Sequence, residues 1–254
     1  MKYLLSSALV LALVLSNSHS ARAQSVVTLV APGGIKDAIE ELIPGFEHKT
    51  GDTVKATFGS GLGTKKQVAQ GEAFDVPIVQ PPYPEVLASG NVVASTATPL
   101  ATVFVGVAVR QGAPKPDIST PEAVKRMLLA AKSISYPNAA GGAAAGVSFD
   151  ETLKKLGIAD EMQPKIKRAQ GGAGAMSMVA KGEVEIGLTF LSEMGEPGID
   201  VVGPLPREIS NPTTLVGFVS AHAKDPAAAK ALLEYLSSPA AASVYKSHGM
   251  QPGK

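Results

Sequence analysis

Residues 56–79 read ATFGSGLGTKKQVAQGEAFDVPIV, and the fold turns on how this stretch is read. A β-rich run ending at Phe58 meets a glycine turn over 59–63, then a short helical segment from about Thr64 to Gln70, a turn and the apolar strand 76–79. The layout recurs further on. Displaced by 111 positions, Gly61, Gly63, Val68, Ala69, Gly71 and Glu72 meet Gly172, Gly174, Val179, Ala180, Gly182 and Glu183. Glycine and alanine are common here, so composition bias is the bland explanation and a structural repeat the sharper one. As a repeat, each copy closes a strand with glycines and starts a helix whose first N–H groups face outward, which is how backbone builds an anion site. Two facing copies make a cleft.

Working outward, residues 26–30 form an apolar strand closed by Ala31, Pro32, Gly33 and Gly34. Ile35, Ala38, Ile39, Leu42, Ile43 and Phe46 then recur at helical spacing, with Pro44 predicted to kink the helix near its end. The run 101–109 (ATVFVGVAV) reads as a strand crossing between lobes, and 215–219 as the return. Thr120-Pro121, Asp225-Pro226 and Ser238-Pro239 each read as a cap and first helical position. Residues 137–146 (PNAAGGAAAG) form a loop leading into a helix that ends at Leu156-Gly157. Strands alternating with helices predict an α/β protein with mostly parallel sheets and helices on both faces. Ligands of such sheets sit outside the strand C-termini, and that edge carries the glycine turns 31–34, 59–63, 137–146 and 170–174.

Lys2, a largely apolar run over 4–15 and Ala21-Arg22-Ala23 read as a secretory leader, residues 1–23, cleaved before Gln24. No later stretch reaches the length of a membrane-crossing helix, and there is no cysteine for a disulfide or a lipid anchor, so a soluble periplasmic protein is expected. The net charge is +1, and only Lys2 and Arg22 among charged residues leave with the leader. A near-neutral chain without a basic block offers nothing to nucleic acid. His48, His222 and His248 are isolated, so neither metal nor cofactor is expected. The turn 59–66 lacks the Gly-Lys-Ser/Thr ending of a phosphate-gripping loop, Gly59-x-Gly61 lacks the third glycine of a dinucleotide fingerprint, and no G-x-S-x-G elbow occurs.

Four segments carry a family resemblance: GIKDAIEELIPGFEHKTG (34–51), FGSGLGTKKQVAQGEAFDVPIV (58–79) with its GxxxDV signature, LKKLGIADEMQPKI (153–166) and EIGLTF (185–190). With these the mature chain resembles the periplasmic substrate-binding proteins of ABC importers, molybdate-binding type. The resemblance implies a type II-like pair of lobes, 24–104 with 214–254 and 105–213, a small anion held between them, an inner-membrane permease as partner, and a monomer. It implies ligand positions at Gly34, Gly61, Ala145, Gly172 and Phe190. The family places serine at the positions of Gly34 and Gly61 and tyrosine at Phe190, so three hydroxyl donors are missing, although Ser60 adjoins one gap. The losses favour an organic carboxylate over molybdate, and the glycines are expected to enlarge the space above the helix ends. A periplasmic aconitate isomerase also resembles this binding-protein type, which makes a proton shift between cis- and trans-aconitate the alternative.

Lys65 and Lys66 read either as an anion lure or as a solvated face. Tyr83 reads as lining the cleft or capping the core, and Arg168 as a carboxylate partner or a structural ion pair. For a proton shift, Lys65, Lys66, Tyr83, Glu193 and His222 are the candidate bases, with no spacing to choose among them.

Overall fold

The computed structural model describes residues 24–253, and the leader read in residues 1–23 lies outside them. Strand β1 (Val26–Pro32) passes through the 3-10 turn Gly33–Ile35 into α1 (Lys36–Thr50), which buries Ala38, Ile39, Leu42 and Phe46. Helix α1 continues through Pro44 to Thr50 and stops at Gly51, whose φ of 78° lies in the left-handed region. Packing of Phe46 against Tyr235, centroids 5.7 Å apart, holds the turn beyond the proline. Then come β2 (Thr53–Gly59), α2 (Gly61–Ala69), β3 (Val76–Val79) and the short α3 (Pro84–Ala88). Strand β4 (Thr98–Val103) is separated by Phe104 alone from β5 (Val105–Arg110), which belongs to the other sheet. That sheet is built from α4 (Pro121–Ala130), β6 (Ile134–Pro137), α5 (Ala144–Lys155), α6 (Ala159–Met162), β7 (Ile166–Ala169), α7 (Gly171–Ala180), β8 (Ile186–Phe190) and β9 (Ile199–Pro204). The chain returns through β10 (Thr213–Gly217), α8 (Pro226–Leu236), α9 (Pro239–Ser247) and β11 (Gln251–Pro252).

The strand orders are β11-β4-β10-β3-β1-β2 and β7-β6-β8-β5-β9. In both sheets three successive parallel strands take the same arrangement: β1 lies between β2 and β3, and β6 between β7 and β8. The sheets are mixed rather than mostly parallel, because β10 runs against β3 and β4, and β5 against β8 and β9. Parallel neighbours need a crossover segment between them. The chain enters β5 directly from β4 without one.

The repeat survives at the level of single hydrogen bonds. Helix α2 ends with Gly71 N–H donating to Val68 O (3.1 Å) and Glu72 N–H to Gln67 O (3.1 Å); α7 ends with Gly182 N–H to Val179 O (2.9 Å) and Glu183 N–H to Met178 O (2.9 Å). Both are the Schellman cap, with left-handed glycine at φ 80° and 73°. Asp225, Ser238 and Thr120 cap their helices with proline at the first position. Their side chains accept the amides that helix starts leave free.

Where α5 follows β6 the packing is tight: a Cβ on Gly146 would overlap the carbonyl oxygen of Pro137. Gly146→Ala is expected to destabilise the protein by about 1–3 kcal/mol despite alanine's better helix propensity. The check is a lower urea midpoint with an unchanged m-value.

Candidate functional site

Four turns leave the carboxyl ends of β1, β2, β6 and β7, and all of them reach one cavity of about 320 Å³. Gly33 and Gly34 come from the first turn, Gly59, Ser60 and Gly61 from the second, Asn138 to Ala145 in part from the third, and Gln170, Gly171 and Gly172 from the fourth. Phe190, at the end of β8, and Glu193, just after it, also line it. Each turn leads into a helix whose first amides have no intrahelical acceptor, and whose dipole makes that end attractive to negative charge. Some of these amides are already used. Ser60 caps α2 by accepting from Gly63 N–H (3.1 Å), and Leu62 N–H donates to Gly142 O (3.2 Å), a bond joining turns of the two sheets. Ser192 Oγ donates to Gly34 O (2.7 Å) and ties the sheets again.

Of the residues singled out in the sequence, Gly34, Ser60, Gly61, Ala145, Gly172 and Phe190 line the cavity. Tyr83 does not. Its ring meets Phe218 edge-on, centroids 5.7 Å apart, in an apolar cluster with Val30, Val79 and Val86. The expected widening at the two glycines that replace serine is also absent. A Cβ on Gly34 would stand 3.0 Å from the Phe190 ring, and one on Gly61 would overlap the Gln80 carboxamide. Neighbouring side chains have taken up that space. Gln80 was missed from sequence; its Oε1 is buried without a hydrogen-bond partner.

The candidate bases separate clearly. Lys65 is buried, donating to Pro82 O (2.8 Å) with Glu85 at 4.0 Å, while Lys66 is exposed. His222 sits on the surface beside Asn91 Oδ1 (3.0 Å). Arg168 is paired with Asp150 (3.0 Å) and stacked on Tyr136, 4.1 Å from its centroid. Glu193 alone of the five candidates lines the cavity. Its Oε2 accepts from Thr189 Oγ1 (2.5 Å), and Gly172 makes room for it, since a Cβ there would stand 2.6 Å from that oxygen. Burial pushes the Glu193 carboxyl above the usual range, Asp37 adds to the rise, and the bonds from Thr189 and the Phe190 backbone oppose it.

The family model described as bacterial extracellular solute-binding protein matches residues 27–251. An aconitate isomerase from Pseudomonas sp is 34% identical over 250 residues, 95% of this chain and 94% of that one. The molybdate-binding protein ModA of Azotobacter vinelandii is 30% identical over 217 residues, 83% of this chain and 84% of its own. In structure, the periplasmic molybdate-binding protein of Azotobacter vinelandii matches with a TM-score of 0.73 at 20% identity, covering 88% of this chain and 98% of that one.

A raised carboxyl means that the folded protein holds a proton which the unfolded chain has released. Between the ordinary carboxylate range and the raised value, Glu193 therefore makes stability fall as pH rises. Glu193→Gln is expected to remove this decline, read as the difference between wild-type and variant denaturation free energies across a pH series.

Proposed function

Since the chain belongs to the family of bacterial extracellular solute-binding proteins, we propose that its cleft captures a small organic carboxylate in the periplasm for an ABC importer. The observation that carries this reading is the convergence of four glycine turns, two from each sheet, on one hollow. Each helix end favours a negative guest by about 0.3–1 kcal/mol when exposed and up to about 2 kcal/mol when partly buried. The volume stands near the lower end of small-molecule pockets, roughly 300–1,000 Å³. Gly34, Gly61 and Phe190 offer no hydroxyl, and each missing bond to a charged guest forfeits about 1.5–3 kcal/mol, which weighs against a tetrahedral oxyanion.

In this reading residues 24–104 and 214–254 form one lobe and 105–213 the other. A ligand touching both stabilises the closed arrangement over the open one, because only the closed form makes all the contacts. The permease of the importer then recognises the closed, monomeric form.

A second reading, isomerisation of an unsaturated tricarboxylate, is favoured by the placement of Glu193 inside the cleft. A carboxylate there would take a proton from a methylene beside one ligand carboxylate, the double bond would migrate, and the proton would return at the far carbon. The C–H broken is replaced by a C–H formed, with no redox partner.

Thermal-shift measurements with cis-aconitate, citrate, sulfate and molybdate test the capture. At a hundred times its dissociation constant a ligand adds about 2.7 kcal/mol of stability, a rise of several degrees. Carboxylates are expected to give that rise, and a larger response to molybdate would overturn the carboxylate assignment. Incubation with cis-aconitate, followed by absorbance for the trans isomer, decides the second reading: no conversion removes it.

A further inference from the structure

Glu193 places a carboxyl group inside a cleft whose other features attract anions. It stands where the two halves meet: Oε2 faces Gly172 of the β7–α7 turn, and Oε1 lies 3.6 Å from the position a Cβ on Gly33 would take. Among the described residues no cation on the surrounding elements compensates it. From α1, Asp37 adds a further negative field, and Lys36 is engaged with Glu40 at 2.7 Å and Asp37 at 3.7 Å. From β7, Arg168 is held by Asp150 at 3.0 Å. Strand β8 supplies Thr189 and Phe190, and the cavity-lining residues of the other turns are glycine, alanine, proline, serine, asparagine and glutamine.

Two carboxylates in contact in such a place cannot both stay ionised, because each disfavours the charged form of the other. The anion clamp therefore works only with a proton between guest and protein. We propose that Glu193 determines specificity: the cleft takes up an anion together with one proton, shared between the Glu193 carboxyl and an acid group of the ligand. This rests on the anion-clamp reading and deepens it by naming the ligand class. Carboxylic acids are weak acids like Glu193 and share such a proton readily, whereas sulfate, the base of a strong acid, holds it poorly.

The test is calorimetric titration of the purified protein with cis-aconitate, in buffers of different ionisation enthalpy, between about pH 6 and 8. Wild type and Glu193→Gln are compared, so that the ligand's own titration cancels. Wild type is expected to take up more protons per site than the variant, approaching one where the free Glu193 carboxyl is ionised, and its affinity relative to the variant to fall over that same range, by up to about tenfold per pH unit. The neutral amide, freed of this requirement, is expected to gain a sulfate response. Equal proton counts and parallel pH profiles would overturn the proposal while leaving the clamp intact. Absence of binding to both proteins by cis-aconitate, citrate, sulfate and molybdate would overturn the clamp itself. The same decision is available on wild type alone, with 13C-labelled glutamate and 13C-labelled ligand: one carboxyl of the pair is expected to stay protonated in the complex near neutral pH, and finding every glutamate and ligand carboxyl ionised overturns the proposal.

Discussion

A helix that begins soon after the carboxyl end of a parallel strand leaves its first amide hydrogens without acceptors, and this chain does so four times, twice in each sheet. Those hydrogens need water, a side chain or a guest. Ser60 and Gly142 provide for two of them and Asn138 for a third, and the turns that carry the others line the cavity. The helix starts, the glycines that let backbone approach closely, and the bonds from Leu62 and Ser192 between the sheets all follow from that arrangement.

What the sequence revealed and what it concealed divide along a physical line. Glycine turns are local signals, because a strand ending in glycines and restarting as a helix has few alternatives, so the turns that hold Gly34, Gly61 and Gly172 could be placed at strand carboxyl ends from the residue pattern, while the three positions themselves came from the family resemblance. The repeat was legible too, since a Schellman cap demands glycine at a fixed position and both copies have it. Tyr83 and Glu193 carry no such signature. Whether a side chain after a strand turns toward the cleft or toward a core depends on partners far away in sequence, here Phe218 for the tyrosine and Gly172 for the glutamate. The same holds for the space beside Gly34 and Gly61. Loss of a side chain predicts room only if the neighbours stay where they were, and Phe190 and Gln80 occupy it instead.

The mixed sheets show a similar limit. Alternation of strands and helices predicts parallel pairing, and it holds within β1–β2–β3 and β6–β7–β8. The strands that carry the chain between the sheets break the rule, since they arrive without a helix to reverse them. Their antiparallel neighbours are the signature of a chain that leaves one sheet, builds another and comes back.

Phe104, the single residue between β4 and β5, has a mechanical consequence. One peptide step is about 3.8 Å long and does not stretch, so the two halves can swing about this point but cannot drift apart beside it. In the proposed two-lobed reading, opening the cleft is therefore a rotation like that of a book held at its spine. In that reading an oversized guest would leave the pages ajar by an angle, and a small misfit at the centre would become a wider gap at the outer margin, where a membrane partner would meet it.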